Sequence, residues 1–561
     1  MSEERVLDGL SAGRGIAVGP VAIVHSAPPL PEPEPTPADP QAATTAIDEA
    51  FAVVAEALTA QAAAAEGTVA EVLGATALMA ADPALIGETH RLVGEGTPPA
   101  HAVHAAVAQF AEILTAAGPP LSERVTDLDS VRDRVVAHLL DVPAPGVTLS
   151  EPSIIVAVDL APADTAALDL GLVAGIVTEQ GGPTSHTAII AGQLGIPCLV
   201  RVAGATSIPA GATVAIDAAA GRLIVAPSAE TRAELERRAG ADAAMAEDTA
   251  AGATSDGHPV ALLANIGTAE DAERAAATAA EGVGLMRTEV QFLGRAEAPS
   301  VEEQAEAFRR VVAAFGERKV VVRTLDAGSD KPLAFAHQTE EENPALGVRG
   351  YRLCRTLPAL LDGQLTALGA VAASAGESLW VMAPMVATAA ETRAFVTAAH
   401  AAGIAQAGVM VEVPAAALMA AEILAEADFV SLGTNDLAQY TMAADRLSGT
   451  LADLTNLWQP AVLRLVCHVA TAGITAGKPV GVCGESASDP LMALVLAGFG
   501  ITSLSMSPPA LPAVRFALRR HTLDQCKAMA AAAYDATSAE EARAAALALV
   551  DPAVAAQLGL G

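Results

Sequence analysis

The spacing of apolar positions changes three times along the chain, and each change marks a new kind of element. Residues 5 to 25 hold a short, Gly-punctuated apolar segment, "GIAVGPVAIV", that predicts a strand or hairpin; a stiff Pro-rich connector, "SAPPLPEPEPTPADP", follows. From about 42 to 142 apolar residues recur near every 3.6 positions, as in "TTAIDEAFAVVAEALTAQ" and "HAVHAAVAQFAEILTAAG", with breaks at Asp82-Pro83 and Pro119-Pro120. This predicts a bundle of about four helices. From "PSIIVAVDL" onward short apolar runs alternate with helical stretches through "GLVAGIVTE", "IPCLV" and "ATVAIDAAAGRLIVAP", an α/β pattern with hairpin-like ends. Because "GIAVGPVAIV" has no partner of its own, the bundle (42–142) reads as an insertion into a discontinuous α/β domain, 1–25 and 145–228. A charged helical connector occupies 229–255.

The region 256–561 repeats a strand-helix unit. Its short apolar strands are "PVALLANIG", "GVGLMRTE", "KVVVRTLDAG", "LWVMAPMV", "AGVMVEVP", "FVSLGTNDL", "PVGVCGES" and "SLSMSP". Eight such units predict a (β/α)₈ barrel, so the whole chain reads as multidomain α/β with an inserted helical bundle. Nearly every strand ends in polar residues: Asn265, Arg287 with Glu289, Arg323 with Asp326, Glu412, Asn435 with Asp436, Cys483 with Glu485, and Ser505. In barrels of this kind the carboxyl ends of the strands face one cleft, so these side chains are expected to converge.

Composition narrows the classes of function. Length, 561 residues, calls for several cores. The hydrophobic share of 52% and mean hydropathy of +0.41 look membrane-like, but the excess is alanine. No uncharged apolar run reaches about 18 residues, so membrane insertion is not expected. The acidic start "MSEERVLDGL" lacks the pattern of a signal peptide. Five scattered cysteines without a CxxC pair point to a reducing cytoplasm. A net charge of −33 argues against nucleic acid and anionic lipid, and allows a basic protein partner.

Two places carry chemistry. At the barrel mouth, arginines on neighbouring strands suit bidentate capture of phosphate or carboxylate, and carboxylates on later strands suit Mg²⁺, which accepts one or two of them alongside ligand oxygens. A small phosphorylated acid chelated to magnesium is the expected guest. In "EQGGPTSHTAIIAGQLGIPCLV", His186 falls in the first turn of a helix behind Gly181 and Gly182, with Thr184 or Ser185 as cap. A phosphate on that imidazole would meet free backbone N–H groups and the positive end of the helix dipole. The same position also suits a structural or merely exposed histidine, and local pattern alone leaves both open.

The motifs "GGPTSHTAI", "AEGVGLMRTE", "VVVRTLDAGSDKP", "EENPALGVRG", "VMVEVPAAA", "SLGTNDLAQYTMAADR" and "GVCGE", in this order, resemble Enzyme I of the bacterial phosphoenolpyruvate:sugar phosphotransferase system. The resemblance runs over essentially the whole chain. It implies that His186 is phosphorylated by phosphoenolpyruvate, with Thr165 supporting it, and passes the group to the phosphocarrier protein HPr. It further implies that Arg287 and Arg323 grip the phosphoryl group, with Arg446, Lys331 and Arg349 assisting. Glu412 and Asp436 would ligate Mg²⁺, Asn435 would bind phosphoenolpyruvate, and Cys483 would protonate the enolate on the way to pyruvate. The helical insertion would dock HPr, and the barrel would pair two copies as a homodimer. With donor and acceptor on different domains, the α/β domain must swing about the connector to load and unload.

The sequence departs from the family pattern at Pro183, where a basic residue is common, and at Thr366 and Ala383, in place of an arginine and a phenylalanine. Two other readings compete. A pyruvate phosphate dikinase or phosphoenolpyruvate synthase pairs similar domains but needs a large ATP-binding domain, for which no region remains. A phosphoenolpyruvate-sensing regulatory protein with a dead barrel is opposed by the intact Arg287, Arg323, Glu412, Asp436 and Cys483.

Overall fold

Each of the eight apolar runs after residue 256 forms a strand in the computed structural model: β9 (Ala261–Ile266), β10 (Gly282–Arg287), β11 (Lys319–Arg323), β12 (Leu379–Ala383), β13 (Gln406–Val411), β14 (Val430–Leu432), β15 (Val480–Val482) and β16 (Ser503–Met506). They close as a barrel in sequence order, every pair parallel, with β16 returning to β9 through Ser503↔Ala261 to Met506↔Ala264. The structure describes residues 4–12, 15–24, 28–31, 39–64, 76–117, 125–143, 145–147, 149–160, 168, 170–182, 187–188, 191–192, 195–292, 295, 297–328, 333, 335, 341–446, 451 and 453–560.

Alternation along the barrel strands separates two cores. Leu285, Val321, Met382, Met410, Phe429 and Cys483 cluster inside the barrel. Their strand neighbours Met286, Val320, Val322, Val381 and Val409 join the larger core under the surrounding helices. With a side-chain period of two, Arg287 follows Leu285 and Arg323 follows Val321 onto the inner face, and Glu412 follows Met410 there. Ala383 lies on the opposite face from Met382, in the outer core.

By contacts the chain divides into two units, one comprising Met1–Gly19, Ala174–Ala203 and Thr213–Gly561, the other Pro20–Val173 and Gly204–Ala212. In the first, β1 (Arg5–Asp8), β8 (Arg222–Val225) and β7 (Thr213–Asp217) form an antiparallel ladder, in which β7 and β8 are the hairpin expected from the sequence. There too β6 (Cys198–Val200) pairs parallel with β5 (Val173–Thr178) and antiparallel with β2 (Leu10–Ser11). The helix Ala229–Ala246 follows, capped by the Ser228 hydroxyl accepting from the Thr231 N–H.

"GIAVGPVAIV" is one strand, β3 (Ile16–Ile23), not a hairpin; its second half, from Pro20, belongs to the second unit, where it pairs parallel with β4 (Ser153–Ala157) at Val21↔Ile154. The helices Pro40–Ala64, Pro83–Gly94, Pro99–Ala117 and Val125–Leu139 lie between these strands in sequence. Their apolar stripes, including Ile47, Phe51, Val54, Leu58, Val103, Val107, Val131 and Val135, bury one core. The break at Asp82-Pro83 is a helix start: the Asp82 carboxylate accepts from the Ala84 N–H, with proline in the first turn. Pro119-Pro120 lies outside the described residues. Among the described residues no helix is long and apolar enough to cross a membrane.

One close approach in the barrel shell depends on a missing side chain. Gly498 sits within the helix Pro490–Phe499, and a Cβ there would lie 2.2 Å from the Cys526 carbonyl oxygen and 2.8 Å from the Ala530 Cβ, on the helix Leu523–Asp535. Alanine gains about 1 kcal/mol in helix propensity, but overpacking typically costs about 1–3 kcal/mol and here meets backbone that cannot rotate away. Gly498→Ala is therefore expected to lower the thermal unfolding midpoint. Gly240→Ala, in an exposed helix position with nothing within 4 Å, is expected to leave it unchanged or raise it. Calorimetry of the two variants checks the contrast; equal behaviour would contradict the packing account.

Candidate active site at the barrel mouth

The inward alternation brings a chain of opposite charges to the carboxyl end of the barrel. Glu289, in the turn after β10, accepts from Arg323 Nη2 at 2.7 Å, and Arg323 Nη1 lies 3.0 Å from Asp326 Oδ2. The same Asp326 oxygen lies 3.1 Å from Arg349 Nη2, and Arg349 Nη1 reaches Asp436 Oδ1 at 3.2 Å. All five side chains are buried. Burial alone disfavours charge on Arg323, but Glu289, Asp326 and Glu412 outweigh it and hold its pKa above the ordinary arginine value. Such pairs carry a desolvation cost, and removing one partner of a buried pair typically costs about 3–5 kcal/mol.

Not every donor is consumed. The Nε atoms of Arg287 and Arg323 are buried without a hydrogen-bond partner among the described residues. A cleft of about 750 Å³ opens at this mouth, lined among others by Asn265, Arg287, Arg323, Glu412, Asp436 and Cys483. Unpaired guanidinium donors beside a cleft favour an anionic guest with several acceptor oxygens.

Glu412 follows the end of β13, where its Oε2 accepts from the Met385 N–H at 2.9 Å. Its other oxygen packs against Gly433: a Cβ at 433 would lie 2.6 Å from Oε1, so only glycine leaves room for the carboxylate. Burial, then the charges of Asp436 and Asp326, push the Glu412 carboxyl well above the usual range, with Arg323 opposing. The buried Cys483 thiol is pushed up to about 11, chiefly by burial, and its Sγ lies 3.6 Å from the Leu432 carbonyl it donates to. It is a protonated thiol at neutral pH, and it also packs in the inner core.

Asn435 and Glu485 lock each other. The Asn435 amide donates to Glu485 Oε1 at 3.0 Å and accepts from the Glu485 N–H at 3.0 Å, which leaves one amide N–H to offer a guest. Burial raises the Glu485 carboxyl, while Arg446 and Asn435 oppose it. Asn265 donates to the Cys483 carbonyl at 3.2 Å and accepts from Ser505 at 2.6 Å. Arg446 lines the cleft, and its N–H donates to Gln439.

The structure thus brings together Arg287, Arg323, Arg349, Glu412, Asn435, Asp436, Arg446 and Cys483, all expected from the strand ends or the motifs. His186, Thr165, Lys331 and Pro183 lie outside the described residues. Thr366 is remote in character: its hydroxyl donates back to the Asp362 carbonyl on an exposed turn of the helix Pro358–Ala375. Sequence reasoning missed Gln364, which is fully buried on that helix and accepts from the Leu325 N–H at 2.7 Å, between Arg323 and Asp326. The available signal was a polar residue in register with the buried Leu368 and Val371.

Among the described residues no cluster of three or more His, Cys, Asp or Glu is assembled to hold a metal. Glu412 and Asp436 offer two hard oxygen donors at one cleft.

Comparisons with known proteins agree with this geometry. Residues 242–523 match the PEP-binding domain of PEP-utilising enzymes, 149–221 their mobile domain and 8–124 their N-terminal domain. The chain is 50% identical over 552 residues to a phosphoenolpyruvate-protein phosphotransferase of Streptomyces coelicolor, covering 98% of this chain and 99% of that protein. It is 37% identical to one of Geobacillus stearothermophilus, covering 92% and 93% of the two chains. A multiphosphoryl transfer protein of Xanthomonas campestris is 41% identical over 84% of this chain and 58% of its own length. The chain belongs to the phosphoenolpyruvate-protein phosphotransferases among the PEP-utilising enzymes.

Proposed function

We propose that the enzyme transfers the phosphoryl group of phosphoenolpyruvate first to its own His186 and then to HPr, opening the phosphotransferase route of sugar uptake. The observation that carries this reading is the cleft itself. The arginines and carboxylates of the barrel line it, and so do Ala188 and Gly192, two and six residues beyond His186 in sequence. That shared lining supports delivery of an imidazole to a phosphoryl group held by Arg287 and Arg323.

In this reading a neutral His186 nitrogen attacks phosphorus in line, the N–P bond forms, and the P–O bond to the enol oxygen breaks. Arg287 and Arg323, with Arg349, Arg446 and Lys331 in support, hold charge spreading over the phosphoryl oxygens. Asn435 offers its one free N–H to a substrate oxygen, and Thr165 steadies His186. The Cys483 thiol delivers its proton to C3 of the enolate, which yields pyruvate, and the thiolate recovers a proton from water. Glu412 and Asp436 would hold Mg²⁺, which two carboxylates and substrate oxygens suit; when bound, it supplies Lewis-acid stabilisation of the enolate and phosphoryl oxygens.

The parts divide accordingly: a phosphohistidine domain (1–25 and 145–228), an HPr-docking bundle (42–142), a linker (229–255) and a phosphoenolpyruvate-binding, dimerising barrel (256–561). Exposed Leu78 and Ile113 support a docking face on the bundle, and exposed Leu418, Met419 and Ile474 support a homodimer surface on the barrel. Five free cysteines support a cytoplasmic setting.

With ³²P-labelled phosphoenolpyruvate and Mg²⁺, label is expected on His186 and, after HPr is added, on HPr. His186→Ala should abolish both while phosphoenolpyruvate still binds by calorimetry. Label retained on the alanine variant would assign the acceptor elsewhere.

The raised carboxyl of Glu412 sets a pH dependence. Without metal the folded protein keeps this proton at pH values where the unfolded chain has lost it, so its contribution to stability falls as pH rises from the ordinary carboxylate range to the raised pKa. A cation must displace that proton. Mg²⁺ affinity is therefore expected to rise with pH over the same window, with proton release seen as buffer-dependent enthalpy in titration calorimetry. Glu412→Gln should remove the release, and a release undiminished in that variant would clear Glu412 of the role.

Cys483→Ser nearly conserves volume but raises the donor pKa by several units. Phosphoenolpyruvate affinity and the unfolding midpoint should stay close to the parent, while steady pyruvate formation falls by about 10²- to 10⁴-fold, the usual contribution of a general acid. Turnover at the parent rate would reduce Cys483 to its packing role.

A further inference from the structure

Asp326 occupies the centre of the buried charge chain, and no role attaches to it so far. It lies three residues beyond Arg323, is 1% exposed, and is the carboxylate shared by two arginines among the described residues. Arg323 Nη1 lies 3.0 Å from its Oδ2 and Arg349 Nη2 3.1 Å from the same oxygen. Arg349 Nη2 and Nε also donate to Oδ1 at 3.3 and 3.4 Å.

The backbone holding this carboxylate is itself tied. The Thr324 N–H donates to the Met382 carbonyl at 2.9 Å, the Leu325 N–H to buried Gln364 at 2.7 Å, and the Ala327 carbonyl accepts from the Gly350 N–H at 3.1 Å. The post is therefore rigid on both sides. One of its arginines ends a barrel strand; the other enters from the segment after residue 341 and has no strand to orient it. Two guanidinium groups this close would repel and rotate apart without an anion between them.

We propose that Asp326 is the positioning residue of the phosphoenolpyruvate site: its carboxylate, anchored on its other side by Arg349, fixes the place and orientation of the Arg323 guanidinium, so that the unpartnered donor of Arg323 meets the anionic oxygens of the substrate. That donor is the Nε of Arg323. Asp326 borders the same cleft, and the role assigned to it is exerted through Arg323. The inference rests on the site reading given above and assigns it a supporting residue.

The test uses the full chain carrying His186→Ala, so that binding is read without turnover, and titrates phosphoenolpyruvate at fixed Mg²⁺ by calorimetry. Asp326→Asn keeps the shape and removes the charge. It is expected to weaken phosphoenolpyruvate binding about 10- to 100-fold, the range for losing charge-assisted hydrogen bonds, with no recovery when Mg²⁺ is raised tenfold. In chains with His186 intact, KM for phosphoenolpyruvate should rise in step. A purely structural role would lower the unfolding midpoint but leave the affinity of the folded protein at the parent value, and that result overturns the proposal.

Recovery of affinity in excess Mg²⁺ also overturns it, because Asp326 would then be a metal ligand. Should the asparagine variant not fold, Asp326→Glu keeps the charge but moves it by one methylene, and an affinity within about twofold of the parent there refutes a positioning role, since displacements near 1 Å cost about 10²-fold. If the parent chain itself binds no phosphoenolpyruvate, the site reading fails and the inference falls with it; normal binding by the parent separates the two.

Discussion

Five buried side chains of alternating charge, Glu289, Arg323, Asp326, Arg349 and Asp436, hold one another at the mouth of the barrel. None of them could be buried alone, since an isolated charge in such surroundings would be neutralised or drawn to solvent. Together they keep guanidinium groups ionised in a place that excludes most water, where their attraction for an anionic substrate is stronger than at a surface. The barrel makes the arrangement possible. Its parallel strands all present their carboxyl ends to one side, so residues distant in sequence arrive within hydrogen-bond reach.

The same burial acts oppositely on acids that lack a sufficient cationic partner. Glu412 and Cys483 are both pushed toward their protonated forms, while Asp326 and Asp436 sit against Arg349. The cleft thus contains fixed cations, ion-paired carboxylates and two groups that retain protons. A carboxyl that gives up its proton only when a cation replaces it couples metal entry to charge balance. A thiol that keeps its proton is available as an acid. Both properties come from position in the fold, since neither residue type is unusual in isolation.

Much of this was legible in the chain. The eight barrel strands appear where short apolar runs stand between helical stretches, because strand length and boundary residues are local properties. The inward residues at the strand ends follow from a period of two counted from the apolar core positions, which is why Arg287, Arg323 and Glu412 could be assigned to one cleft before any contact was known. The Asp82-Pro83 break and the β7–β8 hairpin were equally local. Less legible was β3, whose two glycines and proline left strand and hairpin both open; its pairing with β4, distant in sequence, holds it as one strand.

What the sequence by itself determined was therefore the order of elements, the barrel, and which strand-end residues face one cleft, since each depends on spacing within a few residues. Which partner each charge takes was decided only by the tertiary structure. Asp326 could have closed on Arg323 alone; it meets Arg349 because the chain after residue 341 returns to the mouth, a path that no local pattern encodes. Gln364 looks like a flaw in an apolar helix face until the Leu325 N–H is seen opposite it. The tight seating of Gly498 on Cys526 depends in the same way on two helices meeting. Periodicity is a property of neighbours along the chain, whereas ion pairs, buried polar bonds and missing side chains are satisfied by neighbours in space.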